Sequence, residues 1–142
     1  YMDETNLRLV MNIRNNFSRL ADQLIVEGDT SKAVKVLDRS IDLMPNHKVE
    51  YNFFMIPIAE NYYLCGQQEK AREVINTMTQ MFDEKLNYFA QFDEKNSAKN
   101  EVQRTLSLYS SIVKLSYAYD TEEFADTLAN SFQEQLENSG LR

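Results

Sequence analysis

The stretch that decides the fold is residues 17–45, FSRLADQLIVEGDTSKAVKVLDRSIDLMP. On each side of Gly28, apolar side chains recur at steps of three and four residues, which is the pattern of two amphipathic helices. Gly28 suits the left-handed position that ends a helix, and Asp29-Thr30-Ser31 offers an N-cap for the next helix. Two helices separated by about three residues pack antiparallel, so the stretch predicts a helical hairpin that Pro45 closes.

The first helix of this hairpin extends towards the N-terminus. Asp3 is a suitable N-cap, and the helix is predicted from there to about Glu27. Its apolar face is expected to be buried and consists of Leu7, Val10, Met11, Phe17, Leu20, Ala21 and Leu24. The chain begins with Tyr1 rather than Met, which indicates a fragment of a larger protein or a residue left by cloning.

The same helical pattern recurs after residue 50. Helices are predicted on both sides of Gly66, and two more over about Glu101–Tyr119 and Thr121–Glu137. The polar stretch Asp93–Asn100 is predicted to be the longest loop. The expected architecture is all-α, with about six helices in three stacked antiparallel hairpins. These hairpins cover about 3–45, 52–93 and 100–138 of a single domain over residues 1–142.

Pro57 restricts where the third helix begins. Inside a helix a proline removes one hydrogen bond and costs roughly 3 kcal/mol, whereas in the first turn it costs little. We therefore expect this helix to begin near residues 53–56, or to be kinked at Pro57 if it begins earlier.

Small and bulky residues recur at the spacing of a known repeat, the tetratricopeptide unit of 34 residues. Aligned on Gly28, the first copy supplies Phe17, Leu20, Ala21, Leu24, Gly28, Ala33, Leu37, Ser40 and Pro45. Aligned on Gly66, the second supplies Met55, Ile58, Ala59, Tyr62, Gly66, Ala71 and Ile75, and departs at Met78 and Asp83. Lys48–Tyr51 is an insertion between the copies, and a third copy around Tyr109 is degenerate.

The chain therefore resembles tetratricopeptide-like proteins, and the resemblance implies a right-handed superhelix whose concave surface binds a partner. The small residues Ala21, Ala33 and Ser40 are expected where two helices touch. The first helix of each hairpin lines the concave surface in such proteins. The positions that line this surface are occupied here by Asn15, Ser18, Asp22 and Ile25 in the first copy and by Phe53, Ile56, Glu60 and Tyr63 in the second. The predicted groove residues are Asn15, Ser18, Asp22, Phe53, Glu60 and Tyr63.

The charge of these positions bears on the partner. Relatives that clamp a terminal carboxylate have Lys and Asn where Ser18 and Asp22 stand, so an acidic peptide tail is not expected. Asp22 and Glu60 favour a neutral or basic protein or peptide instead.

Aromatic residues are concentrated in the middle of the chain. Nine of the 16 lie between residues 51 and 92: Tyr51, Phe53, Phe54, Tyr62, Tyr63, Phe82, Tyr88, Phe89 and Phe92. They form either a core of large rings or a surface that anchors a partner. The repeat register predicts a buried Tyr62, whereas Tyr63 lies about 100° further around the helix and is the better groove residue.

The composition excludes several classes of function. One Cys and one His rule out a disulfide framework and most transition-metal or triad chemistry. The net charge of −7 has the wrong sign for a nucleic-acid surface. We predict no catalytic, cofactor or metal site, an exposed His47 and a structural Cys65. The residues from Asp120 onwards carry six acidic side chains and one Arg, which form either a solvated face or a docking surface for a basic segment.

Three strings carry a closer likeness: NFSRLADQLIVEGDTSKAVKVLDRSIDLMPNHKV (16–49), FMIPIAENYYLCGQQEKA (54–71) and FDEKLNYFAQF (82–92). They resemble the C-terminal helical region of a bacterial family of multi-pass membrane proteins of uncharacterised function, related to protein O-mannosyltransferases. The resemblance implies a non-catalytic interaction or scaffolding domain that forms the soluble C-terminal tail of a membrane glycosyltransferase-like protein, on the extracytoplasmic (periplasmic) face of the inner membrane.

An alternative to the membrane-protein tail is a free-standing cytoplasmic tetratricopeptide adaptor. A soluble enzyme is disfavoured, because the sequence contains no constellation of catalytic residues. The membrane portion of the implied parent would contain any catalytic carboxylates, so no catalytic residue is assigned to this chain.

Overall fold

The described part of the protein is helical. The computed structural model describes the backbone of residues 3–91 and 96–140 and the side chains of 3–91 and 99–140. The helices are α1 (Glu4–Val26), α2 (Thr30–Leu43), α3 (Met55–Leu64), α4 (Gln68–Phe89), α5 (Asn96–Tyr119) and α6 (Glu122–Asn138). These ranges contain no strand, so the all-α prediction is confirmed.

The helices begin and end at the residues that local sequence signals indicate. Asp3 Oδ1 accepts from the Asn6 N–H at 2.8 Å, and Asp29 Oδ1 accepts from the Lys32 N–H at 3.1 Å. Gly28 has a φ of +85°, and α1 ends there because the Asp29 N–H donates to the Leu24 carbonyl at 2.8 Å. The same left-handed ending recurs at Gly66, where φ is +75°. The predicted N-caps and glycine stops are therefore confirmed.

The chain consists of two compact units, Tyr1–Val74 and Ile75–Arg142. In the first unit α1, α2 and α3 pack against one another. Ala21, Ala33 and Ser40 are buried, as predicted for residues that let two helix backbones approach. In the second unit α5 packs against α6. The single domain of stacked hairpins in a right-handed superhelix stays a prediction.

A cluster of three aromatic rings around the buried Tyr109 contributes to the core of the second unit. The Tyr109 ring lies between Phe82, at a centroid distance of 5.5 Å, and Phe132, at 5.4 Å. Tyr109 Oη donates to Asp83 Oδ1 at 3.0 Å, and Gln135 Nε2 donates to the same oxygen at 3.2 Å. Part of the clustered aromatic sequence is thus core.

Pro57 is the third residue of α3, which begins at Met55. The proline therefore lies in the first turn, where its missing N–H costs no helical hydrogen bond. This confirms the start predicted from the position of the proline.

The face of α1 that is buried differs from the predicted one. Arg14, Ser18 and Ala21 are buried, whereas Leu20 is 50 % exposed and Leu7 is also exposed. Apolar residues occupy more than one side of α1, so hydrophobicity alone does not identify the buried side. The spacing of the three buried residues, at steps of four and three, defines a single face.

The longest described connection is also not the predicted one. It is residues 44–54, between α2 and α3, whereas residues 96–100 form the first turns of α5. Polarity predicts a loop over Asp93–Asn100, but a solvent-facing helical turn is polar too. Helix α4 ends at Phe89 rather than near residue 93, and residues 92–95 lie outside the described ranges.

Candidate functional site

The first helices of the first two predicted hairpins lie side by side in the first unit. Helices α1 and α3 pack together, and Asn61 Nδ2 on α3 donates to the Ser18 carbonyl on α1 at 3.3 Å. Five of the six residues that the repeat register assigns to a groove are at least partly exposed on these two helices or in the turn before α3. We call Asn15, Asp22, Phe53, Glu60 and Tyr63 the α1–α3 face.

Ser18 does not belong to this face. Its exposed fraction is only 2 %, because α3 covers it through the contact from Asn61. The assignment of Ser18 to an open surface is therefore corrected: this serine supports helix packing. A small polar side chain at this position lets α3 approach α1 closely.

The other five residues are accessible to different degrees. Phe53 is 59 % exposed, Asp22 is exposed, and Asn15, Glu60 and Tyr63 are half-buried. Glu60 and Tyr63 are three residues apart on α3, so their side chains lie on one side of the helix. The face thus combines one exposed ring, one half-exposed ring and two carboxyl groups.

Tyr62 lies about 100° around α3 from Tyr63, on the side that the register predicts to be buried. It is buried, and its Oη donates to Asp38 Oδ1 on α2 at 2.7 Å. Lys70 Nζ donates to the other oxygen of Asp38, also at 2.7 Å. Burial, followed by the neighbouring Asp38 carboxylate, raises the pKa of Tyr62. This contact fixes the rotation of α3, because it joins its inner side to α2 and to the start of α4.

The charge of the α1–α3 face comes from two carboxylates, Asp22 and Glu60. In the described residues neither Asp22 nor Glu60 takes part in an ion pair. Arg19 is exposed one turn before Asp22 on α1. Arg8, nearer the N-terminus, is already paired with Glu4 at 3.4 Å. The outer side of α3 itself contributes only negative charge.

Phe53 is presented by an ordered turn. The Phe54 N–H donates to Asn52 Oδ1 at 3.0 Å, and the Met55 N–H donates to the Asn52 carbonyl at 2.9 Å. The Phe53 ring meets the Phe54 ring edge-on, with centroids 5.8 Å apart and an angle of 75° between the planes. Hydrogen bonds within residues 52–55 therefore fix the backbone on which this exposed ring stands.

Arg14 is a structural residue that the sequence reasoning missed. It is fully buried and donates to the carbonyls of Met44, Val49 and Glu50 at 2.9, 2.6 and 2.7 Å. Its Cζ lies 5.2 Å from the centroid of the Tyr51 ring. Burial lowers the pKa of Arg14 and raises that of Tyr51, but a guanidinium stays protonated in proteins. The inserted segment Lys48–Tyr51 was the available signal, since extra loop carbonyls need donors.

His47 and Cys65, the single His and the single Cys of the chain, lie in a turn and at the end of α3, respectively. His47 is exposed in a turn, as predicted. Cys65 ends α3, and burial raises the pKa of its thiol, which reduces the thiolate fraction that a nucleophile needs. Among the described residues, no group of three His, Cys, Asp or Glu side chains is arranged to bind a metal ion.

Comparisons with known proteins found no relative of this chain. No family model and no curated protein matches the sequence, and no solved structure matches the fold. Within the described residues, every helix is too short or too polar to cross a membrane. The resemblance to tetratricopeptide-like proteins and to the membrane-protein family stays a prediction.

Proposed function

We propose that this domain is a non-catalytic protein-interaction module whose α1–α3 face binds a segment of a partner protein. The exposed Phe53 ring carries this proposal, because 59 % of the residue is accessible while hydrogen bonds order the backbone around it. Aromatic side chains are enriched at the centres of interfaces. A ring on an ordered backbone also loses little conformational freedom when it binds.

The charge of the face supports a neutral or basic partner. Asp22 and Glu60 belong to the same face as the two aromatic residues and have no ion-pair partner among the described residues. A partner segment with Lys or Arg beside an apolar anchor would complement both features. Charges at the rim of an interface mainly raise the association rate and exclude wrong partners, so binding should weaken with salt.

We also propose that the domain forms the soluble C-terminal tail of a membrane glycosyltransferase-like protein, on the extracytoplasmic side. The likeness of residues 16–49, 54–71 and 82–92 supports this placement. The alternative is a free-standing cytoplasmic adaptor. The full-length gene distinguishes them: several apolar runs of about 20 residues upstream of Tyr1 support the tail, and an upstream sequence without them contradicts it.

The binding proposal is tested with a partner recovered from a membrane extract by the parent domain. The recovered protein is purified and titrated calorimetrically against the parent and against a Phe53→Ala/Tyr63→Ala variant. Loss of a central aromatic anchor costs about 2 kcal/mol or more, so we expect affinity to fall roughly thirtyfold. The variant must still melt cooperatively, which shows that it is folded.

Tyr88→Ala is the matched control. Tyr88 is 57 % exposed and meets Phe89 edge-on at 5.5 Å and 74°, as Phe53 meets Phe54, but it lies outside the α1–α3 face. We expect Tyr88→Ala to bind like the parent. Equal affinities for all three proteins, or an equal loss in both variants, would contradict the assignment of the face.

A further inference from the structure

Arg14 joins α1 to a connection that is distant in sequence. The three carbonyls to which it donates belong to residues 30, 35 and 36 positions further along the chain. They lie at both ends of the segment 44–50, and the Tyr51 ring covers the guanidinium. A single side chain therefore fixes where this segment enters and leaves the surface of α1.

The contacts require arginine in particular. A guanidinium presents five donors in a planar fork and can stack on an aromatic ring, whereas a lysine ammonium is a point charge on a flexible stem. The three acceptors are backbone carbonyls rather than carboxylates. The guanidinium therefore satisfies carbonyl groups that lie outside α1 and α2 and make no hydrogen bond within these helices. On the far side of the segment, Asn46 Oδ1 accepts from the Tyr51 N–H at 2.8 Å.

The position of Phe53 depends on this arrangement. Phe53 follows Tyr51 by two residues, and the turn at Asn52 connects them to α3. We propose that Arg14 is a positioning residue for the α1–α3 face: it fixes residues 44–51, and thereby fixes the exposed ring of Phe53 in the orientation that binds. This inference rests on the proposed function, since it assigns Phe53 a role in binding.

The test uses tryptophan as a local reporter. The chain contains no Trp, so Phe53→Trp and Tyr88→Trp each introduce a single indole at similarly exposed positions. Time-resolved fluorescence anisotropy measures how freely each indole moves on the nanosecond timescale. With Arg14→Met, we expect the amplitude of the fast decay to rise about twofold at position 53 and to stay unchanged at position 88. Arg14→Lys should give a smaller rise, because it retains the charge without the fork.

Two outcomes of the reporter experiment overturn the proposal. An unchanged amplitude at position 53 shows that Arg14 does not order the ring, and equal rises at both positions show a general loss of structure. If Arg14→Met does not fold, Arg14→Lys replaces it, because it keeps the positive charge and removes the planar fork of donors. It should mobilise position 53 in the same direction.

A binding experiment separates this inference from the proposed function. The probe is a peptide selected on the parent domain from displayed random 12-residue peptides, and retained only if Phe53→Ala weakens its binding. We expect Arg14→Lys to weaken binding about tenfold, and Arg14→Lys/Phe53→Ala to bind no more weakly than Phe53→Ala alone. Additive losses overturn the positioning role, because independent sites add. If no selected peptide depends on Phe53, the proposed function fails, and the reporter experiment alone decides whether Arg14 orders position 53.

Discussion

Ala33 offers the most direct test of how the first hairpin is packed. It is completely buried on α2, in the unit where α1 and α2 pack together. Ala33→Leu adds three carbon atoms at a site with no accessible surface, so one helix must move or a side chain must leave its rotamer. Such overpacking typically costs about 1–3 kcal/mol. Leucine is nearly as good a helix former as alanine, so intrinsic propensity contributes little.

The assay is urea unfolding monitored by circular dichroism, supported by thermal melting. For a chain of this size each kcal/mol corresponds to roughly 2–4 °C, so we expect the melting temperature to fall by about 2–12 °C. Lys35→Leu is the control, because residue 35 is exposed on the same helix. An Ala33→Leu variant that is as stable as the parent and as Lys35→Leu would refute a tight approach of α1 and α2 at this position.

Three further perturbations test contacts elsewhere. Tyr62→Phe removes the hydrogen bond to Asp38 at 2.7 Å and should cost about 1 kcal/mol. A double-mutant cycle with Asp38→Ala, which removes the acceptor, should find the coupling when measured by urea unfolding. Burial raises the pKa of Asp83 in the folded chain. At pH values between the ordinary pKa and this raised pKa, the folded chain therefore binds more protons than the unfolded chain. Asp83 consequently makes the free energy of unfolding decrease as the pH rises through this range. Asp83→Asn keeps the acceptor for Tyr109, so at pH 7 the variant should be at least as stable as the parent. Urea unfolding at several pH values should show that any gain in stability disappears near pH 3. Gly28→Ala places a Cβ in open space at a φ of +85°, so only backbone strain of about 1–2 kcal/mol is expected, and Gly28→Asn should lower the melting temperature less.

Features that depend on a few neighbouring residues were predicted correctly. The N-caps at Asp3 and Asp29 and the stop at Gly28 each involve groups within five positions of one another. Pro57 likewise fixed the start of α3 through its missing N–H. These features depend on hydrogen bonds and backbone conformations of neighbouring residues, so they can be predicted directly from the sequence.

The buried side of α1 could not be predicted in the same way. Leu20 is apolar and exposed, whereas Arg14 is charged and buried. The reason lies at least 30 positions away, where Met44, Val49 and Glu50 offer the backbone carbonyls to which Arg14 donates. Such a contact depends on the tertiary path of residues 44–50, and helical periodicity contains no information about that path.

The repeat register predicted which residues are exposed correctly on α3 but not at Ser18 on α1. On α3 it separated buried Tyr62 from half-exposed Tyr63, because one rotation of a short helix fixes both. On α1 it placed Ser18 on the surface, although Asn61 of α3 covers this residue. Helix α1 therefore contributes only its edge to the face, through Asn15 and Asp22. If the proposed face binds a partner, we expect the aromatic contacts that slow dissociation to come from α3 and the turn before it, and the carboxylate on α1 to act mainly on the association rate.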